Sequence, residues 1–70
     1  NLLVPNPAND VVRISAAAPW ITLEIRDARG AVVLRQHKSV NNEIAVSMLK
    51  PGLYTVHGLG ALPLKLIIAR

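Results

Sequence analysis

The side chains on which chemistry would have to be built in this sequence are four carboxylates, two histidines and three serines. Asp10, Glu24, Asp27 and Glu43 are scattered, and no two stand at a spacing that implies a shared acid–base site. Asp10 and Asp27 sit among turn formers, and Glu24 falls on the outward phase of a strand pattern. His37 and His57 stand alone. A metal site takes three or four ligands with outer support, and the chain has no cysteine to complete one. Ser15, Ser39 and Ser47 lack a strand-to-helix nucleophile turn. No glycine-rich loop precedes a helix, so no phosphate cradle is indicated. These residues support neither an enzyme nor a cofactor. Trp20 is weighed as an exposed anchor for a partner and, with more weight, as a cap on the open edge of a small core.

Charge narrows the partners further. The net charge is +4, with lysine and arginine spread along the chain rather than gathered in a run. A dispersed positive surface suits solvation, and it could meet anionic polysaccharide or lipid headgroups. Nucleic acid is disfavoured, because Trp20 and Tyr54 are too few for a stacking platform. No apolar run is long enough for a membrane-spanning helix, and no amphipathic helix is visible for docking on a membrane. The chain starts at Asn1 and shows no signal peptide. It is therefore read as a fragment or processed piece of something longer, with residues 1–70 forming a single domain.

The elements that must position these residues read as short strands between turns. Aliphatic residues dominate a composition that is 51% hydrophobic and 17% charged, which suits a small core. Leu2 to Val4 is a short extended run, and Pro5 to Asp10 is a rigid turn. Val11 to Ser15 reads as a strand. Pro19 stops any helix begun by Ala16 to Ala18. Trp20 to Arg26 alternates strictly, with Ile21, Leu23 and Ile25 on one face and Trp20, Thr22, Glu24 and Arg26 on the other. Asp27-Ala28-Arg29-Gly30 is a hairpin turn. Ala31 to His37 returns as a strand, with Val32 and Leu34 inward. After a turn at Asn41-Asn42, Glu43 to Val46 is a short strand, preferred to a rival helix over Asn42 to Lys50. Lys50-Pro51-Gly52 carries a type II turn signature. Leu53 to His57 is a strand with Tyr54 and Val56 sharing a face. After Gly58 to Ala61, Leu64 to Ala69 closes the chain. About seven short strands at this spacing indicate a sandwich or barrel, here two thin antiparallel sheets packed face to face.

Four ordered motifs resemble a known family. Val4-Pro5-Asn6-Pro7-Ala8-Asn9-Asp10 looks like its opening box. Leu23, Ile25, Asp27 and Gly30 look like its central hairpin. Ile44, Val46, Ser47, Leu49, Lys50, Pro51, Gly52, Leu53 and Tyr54 look like its third box. Lys65, Leu66, Ile67, Ile68, Ala69 and Arg70 look like its apolar end with a basic last residue. Together they resemble type A C-terminal sorting domains of the type IX secretion system (the Por secretion system) over nearly the whole chain. Two positions depart from the pattern. Val4 stands where an aromatic often precedes Pro-Asn-Pro, and Leu66 stands where a second lysine is frequent.

The resemblance implies a small seven-stranded antiparallel immunoglobulin-like β-sandwich at the C-terminus of a cargo protein. It implies a route from the periplasm of a Gram-negative bacterium through the type IX translocon to the outer-membrane surface or beyond. It also implies removal by a sortase-like cysteine peptidase and attachment of the cargo to anionic lipopolysaccharide. Cleavage would fall upstream of Leu2, and the Pro-Asn-Pro box would be structural. As a tag shared by unrelated cargoes, such a domain suits recognition through a strand edge, and the final strand from Leu64 with Lys65 to Arg70 is the candidate surface. Two other readings stand beside this one. One is a retained domain that docks with the secretion or attachment machinery. The other is an accessory carbohydrate-binding β-sandwich, which would need exposed aromatic residues. An edge-strand dimer is a further option.

Overall fold

In a computed structural model, residues 3–5, 7–15, 20–38, 42–60 and 62–69 are described. Among them the chain is all-β: β1 (Leu3–Val4), β2 (Val11–Ile14), β3 (Thr22–Arg26), β4 (Val32–His37), β5 (Glu43–Ala45), β6 (Gly52–His57) and β7 (Leu64–Ile68). The larger sheet has the order β4-β3-β6-β7, and β2 and β5 form the smaller one, extended at its edge by β1. All named strand pairs are antiparallel. The expectation of about seven short strands needs one correction. Six run three residues or more, and β1 is a two-residue pairing of Leu3 with Ile14 and Val4 with Arg13. Pro5 has no amide hydrogen with which to continue the ladder.

Each sheet turns one aliphatic face inward because the strands alternate. Leu3, Val12, Ile14 and Ile44 come from the smaller sheet, and Leu23, Ile25, Tyr54, Val56, Leu66 and Ile68 from the larger. Leu34, Ile25, Val56 and Leu64 form one inward row across four strands. Among the described residues no polar or charged residue is buried as a whole.

Several expected phases held, and three did not. Leu23 with Ile25, Ile44 with Val46, and Tyr54 with Val56 all point inward as the alternation requires. Trp20 is buried, in line with the weight given to it as a cap on the core, and Ile21 is 82% exposed, both the reverse of the alternation, because the strand begins only at Thr22 and the alternation does not extend before it. Val32, expected inward, is exposed. The register of β3 and β4 shifts between Ile25 and Arg26, so Val32 pairs with outward Arg26 and Val33 is the extra residue of a bulge. Over 42–50 the preferred strand forms rather than the rival helix. β5 ends at Ala45, and the chain turns through Ser47 and Met48 with the Leu49 amide donating to the Val46 carbonyl at 3.0 Å. The segment Ala16 to Pro19 lies outside the described residues.

Candidate recognition surface

The motif residues organise corners of the fold. At the β3–β4 hairpin the Gly30 amide donates to the Asp27 carbonyl at 2.9 Å, the type I turn expected there. Gly30 has φ +89°, a left-handed value that follows such turns in three-residue hairpin loops. The Asp27 carboxylate accepts from the Arg29 and Ala31 amides at 2.9 and 3.1 Å. The Ala31 amide is the main cause holding its pKa below the ordinary value, with Arg29 adding to it.

The Lys50-Pro51-Gly52 corner differs from the expected type II turn. Gly52 has φ +155° and already belongs to β6. The Lys50 carbonyl, which such a turn would use as acceptor, takes the Tyr54 hydroxyl at 2.6 Å instead. The Tyr54 ring is buried in the core while its hydroxyl fixes the chain entering its own strand. This is the arrangement of a tyrosine corner.

The opening box does more than turn. Pro5 and Pro7 are exposed, but Ala8 is 1% exposed and lies beside the last strand. Its amide donates to the Ile67 carbonyl at 2.7 Å, and its carbonyl accepts the Ala69 amide at 2.8 Å. This parallel bridge covers the outer edge of β7 at its C-terminal end. Asp10 is exposed, and its carbonyl accepts the Val46 amide at 2.7 Å. Asn6 lies outside the described residues. Nothing in the sequence marked Ala8 as a clasp, because the contact spans almost the whole chain.

Of the candidate recognition residues, Leu66 and Ile68 are buried and belong to the core. Lys65, Ile67 and Ala69 are exposed, and Arg70 lies outside the described residues. Lys65 and Ile67 share the outer face of the larger sheet with Thr22, Glu24 and Arg26 of β3, Arg35 and His37 of β4, and Leu53, Thr55 and His57 of β6. Glu24 lies at the centre, held by Arg35 Nη2 at 2.8 Å and Arg26 Nη2 at 2.9 Å. The Arg35 hydrogen bond, followed by that of Arg26, holds the Glu24 carboxyl below its ordinary pKa. His37 Nδ1 lies 3.1 Å from Thr22 Oγ1, and His57 Nε2 lies 2.9 Å from Thr55 Oγ1. Each histidine has a hydroxyl partner on the sheet, and no group of three potential metal ligands forms among the described residues. A shallow depression beside the hairpin, lined in part by Arg26, Leu53, Thr55 and His57, is open to solvent, and the Thr55–His57 hydrogen bond lies along it.

Trp20 belongs to the core at 5% exposure, and its indole Nε1 has no hydrogen-bond partner among the described residues. Tyr54 is buried as well, so the only two aromatic residues of the chain are withdrawn from the surface. A stacking platform for sugars therefore has no aromatic side chain to use.

Comparison with known families agrees with the motifs. The family model described as "Secretion system C-terminal sorting domain" matches residues 3–60, most of the chain. No curated protein and no solved structure gave a match. The matched span contains Ala8 but not its clasp partners Ile67 and Ala69, contains the Asp27–Gly30 hairpin and the Tyr54 corner, and ends before β7.

Proposed function

We propose that this domain, which belongs to the family of secretion system C-terminal sorting domains, is the export tag of a cargo protein that crosses the outer membrane by the type IX route. The family is one of sorting signals rather than enzymes, and its members mark proteins for the cell surface or the extracellular space. The observation that carries the reading is the family match over residues 3–60. The motif residues inside that span are the ones that lock the corners of the fold. A signal read by shape needs such rigidity, since its partner must recognise one surface on many cargoes.

The finer reading is as follows. The cargo passes through the periplasm of a Gram-negative bacterium and meets the translocon with this domain folded. A sortase-like peptidase then cuts upstream of Leu2, and the cargo is attached to anionic lipopolysaccharide. The fold is taken as immunoglobulin-like, supported by its two antiparallel sheets and the hydroxyl of Tyr54 on the Lys50 carbonyl. Pro5, Asn6, Pro7, Asp10, Asp27, Gly30, Lys50, Pro51, Gly52 and Tyr54 act as shape-keeping positions. At the end of the chain, Lys65, Ile67, Ala69 and Arg70 meet the machinery, while Leu66 and Ile68 act through the core.

The test uses two epitopes in the full-length parent, one in the cargo and one in this domain, in intact secreting cells. The reading expects the cargo epitope at the surface, separated from this domain and linked to lipopolysaccharide. Both epitopes together on one uncut surface protein would replace cleavage with retention as a docking module. A cargo epitope confined to the periplasm would overturn the sorting role itself.

A further inference from the structure

The sheet margins are not equally available for strand pairing. At β7 the Ile67 carbonyl and the Ala69 amide are occupied by Ala8. On the smaller sheet β1 has two residues and stops at Pro5, and β5 has three. β4 runs for six residues at the margin of the larger sheet, and β3 is its only neighbour among the described strands. The Lys38 amide donates to the Ile21 carbonyl at 2.8 Å, which sets the phase of the ladder. Lys38, Gln36 and Leu34 therefore turn their backbone groups toward β3, and Arg35 and His37 turn theirs away. The His37 carbonyl is capped by Gln36 Nε2 at 2.9 Å. The Arg35 amide and carbonyl and the His37 amide remain facing outward at the edge.

The charge around this edge selects its occupant. Residues 22–38 carry four cations, Arg26, Arg29, Arg35 and Lys38, against two carboxylates, Glu24 and Asp27. Arg26 and Arg35 share Glu24, and Arg29 pairs with Asp27, so two carboxylates serve three of the four cations and the segment keeps a net charge of +2. Pairing of β4 with a second copy of itself would bring two positive margins together, and like charges facing across strands oppose pairing. A strand of opposite charge meets no such penalty and gains the outward backbone groups.

We propose that the β4 edge receives, by strand addition around Arg35, a short extended acidic segment of the export or attachment machinery. The assignment rests on the sorting role given above. It places main-chain pairing at the margin opposite β7, so that one partner could grip the sheet across its outer face.

The experiment follows export of the full-length parent in its own secreting cells, with Arg35→Pro, Arg35→Glu and Arg35→Lys in this domain. Proline removes an outward amide without touching the ladder to β3, as edge positions allow. Arg35→Pro and Arg35→Glu should each lower the exported fraction by about tenfold, whereas Arg35→Lys should stay within about twofold of wild type. Thermal unfolding of each purified protein checks the fold, and if the proline variant fails to fold, Arg35→Glu decides. Wild-type export of a folded Arg35→Glu protein would overturn the edge and leave the sorting role standing. Failure of the wild-type parent to leave the periplasm would overturn both. A wild-type dimer in solution that Arg35→Glu strengthens or leaves intact, and that Arg35→Pro abolishes, would give the edge to a second copy and overturn the acidic partner.

Discussion

Removing the last four residues, 67–70, is the obvious way to ask whether the C-terminal strand is a signal, and the structure indicates that it would remove the fold as well. Ile68 is 1% exposed in the core, and loss of a buried isoleucine side chain costs about 2–5 kcal/mol. The two hydrogen bonds to Ala8 are lost with it, at about 1 kcal/mol each. The pairing of Leu53 with Ile67 and of Gly52 with Ile68 also disappears. The total is about 4–7 kcal/mol, while the core of a domain this small supplies about 3–5 kcal/mol. The truncated domain should therefore show no cooperative thermal transition by far-ultraviolet circular dichroism. By contrast, Ile67→Thr alters an outward, partly exposed side chain and should cost under about 1 kcal/mol, or a fall in Tm of less than about 8 °C. A truncated domain that melts cooperatively within about 8 °C of the intact one would refute this reasoning. The surface variants Ile67→Thr and Lys65→Glu then become the proper probes of recognition, because they leave the core in place.

Four further outcomes are expected. Gly58→Ala would place a Cβ 2.5 Å from the Thr22 carbonyl oxygen at φ +115°, whereas Gly30→Ala, at φ +89°, meets nothing within 4 Å. Both variants bear a left-handed cost of about 1–2 kcal/mol, so Gly58→Ala should melt well below Gly30→Ala, and equal melting temperatures would contradict the close approach. Tyr54→Phe leaves the Lys50 carbonyl without its partner and should cost about 1–2 kcal/mol, read by urea unfolding. Lowered folded-state pKa values at Glu24 and Asp27 stabilise the protein above the ordinary carboxylate range, and this contribution is lost as pH falls through the lowered values. Tm should thus decline on acidification below pH of about 4, and Glu24→Gln should flatten that decline. Trp20 fluorescence should be blue-shifted and poorly quenched by acrylamide, and an emission like that of free indole would contradict its burial.

Local patterns made most of the strands legible. Alternation along Leu23-Glu24-Ile25 and Tyr54-Thr55-Val56 depends on neighbours in sequence, and burial follows it. The Asp27–Gly30 hairpin was equally local, since the Asp27 side chain and the backbone freedom of Gly30 act within five residues. What escaped depended on distant partners. The burial of Ala8 requires β7 to lie beside it, and that of Leu59 requires a loop to fold over the core. Val32 was misplaced because the bulge at Val33 resets the phase. The Lys50-Pro51-Gly52 corner was misjudged because a side-chain hydroxyl took the carbonyl that a turn would have used. For the surface, the sequence pointed to the apolar end of the chain, but apolar character there mostly marks core residues, Leu66 and Ile68. The open margin at Arg35 became visible only once the strand order and the ladder phase were known.

The central claim is that these strands carry a passenger out of the cell. Its most direct measurement is protease accessibility of a signal-peptide-bearing reporter joined to residues 1–70, expressed in a type IX-secreting bacterium and in a translocon-deficient mutant. The account expects the reporter to be degraded on intact wild-type cells, or recovered in their medium, and to stay protected in the mutant and when the 70 residues are absent. A reporter that remains protected with the domain attached, or that reaches the outside equally well without it, would contradict the account.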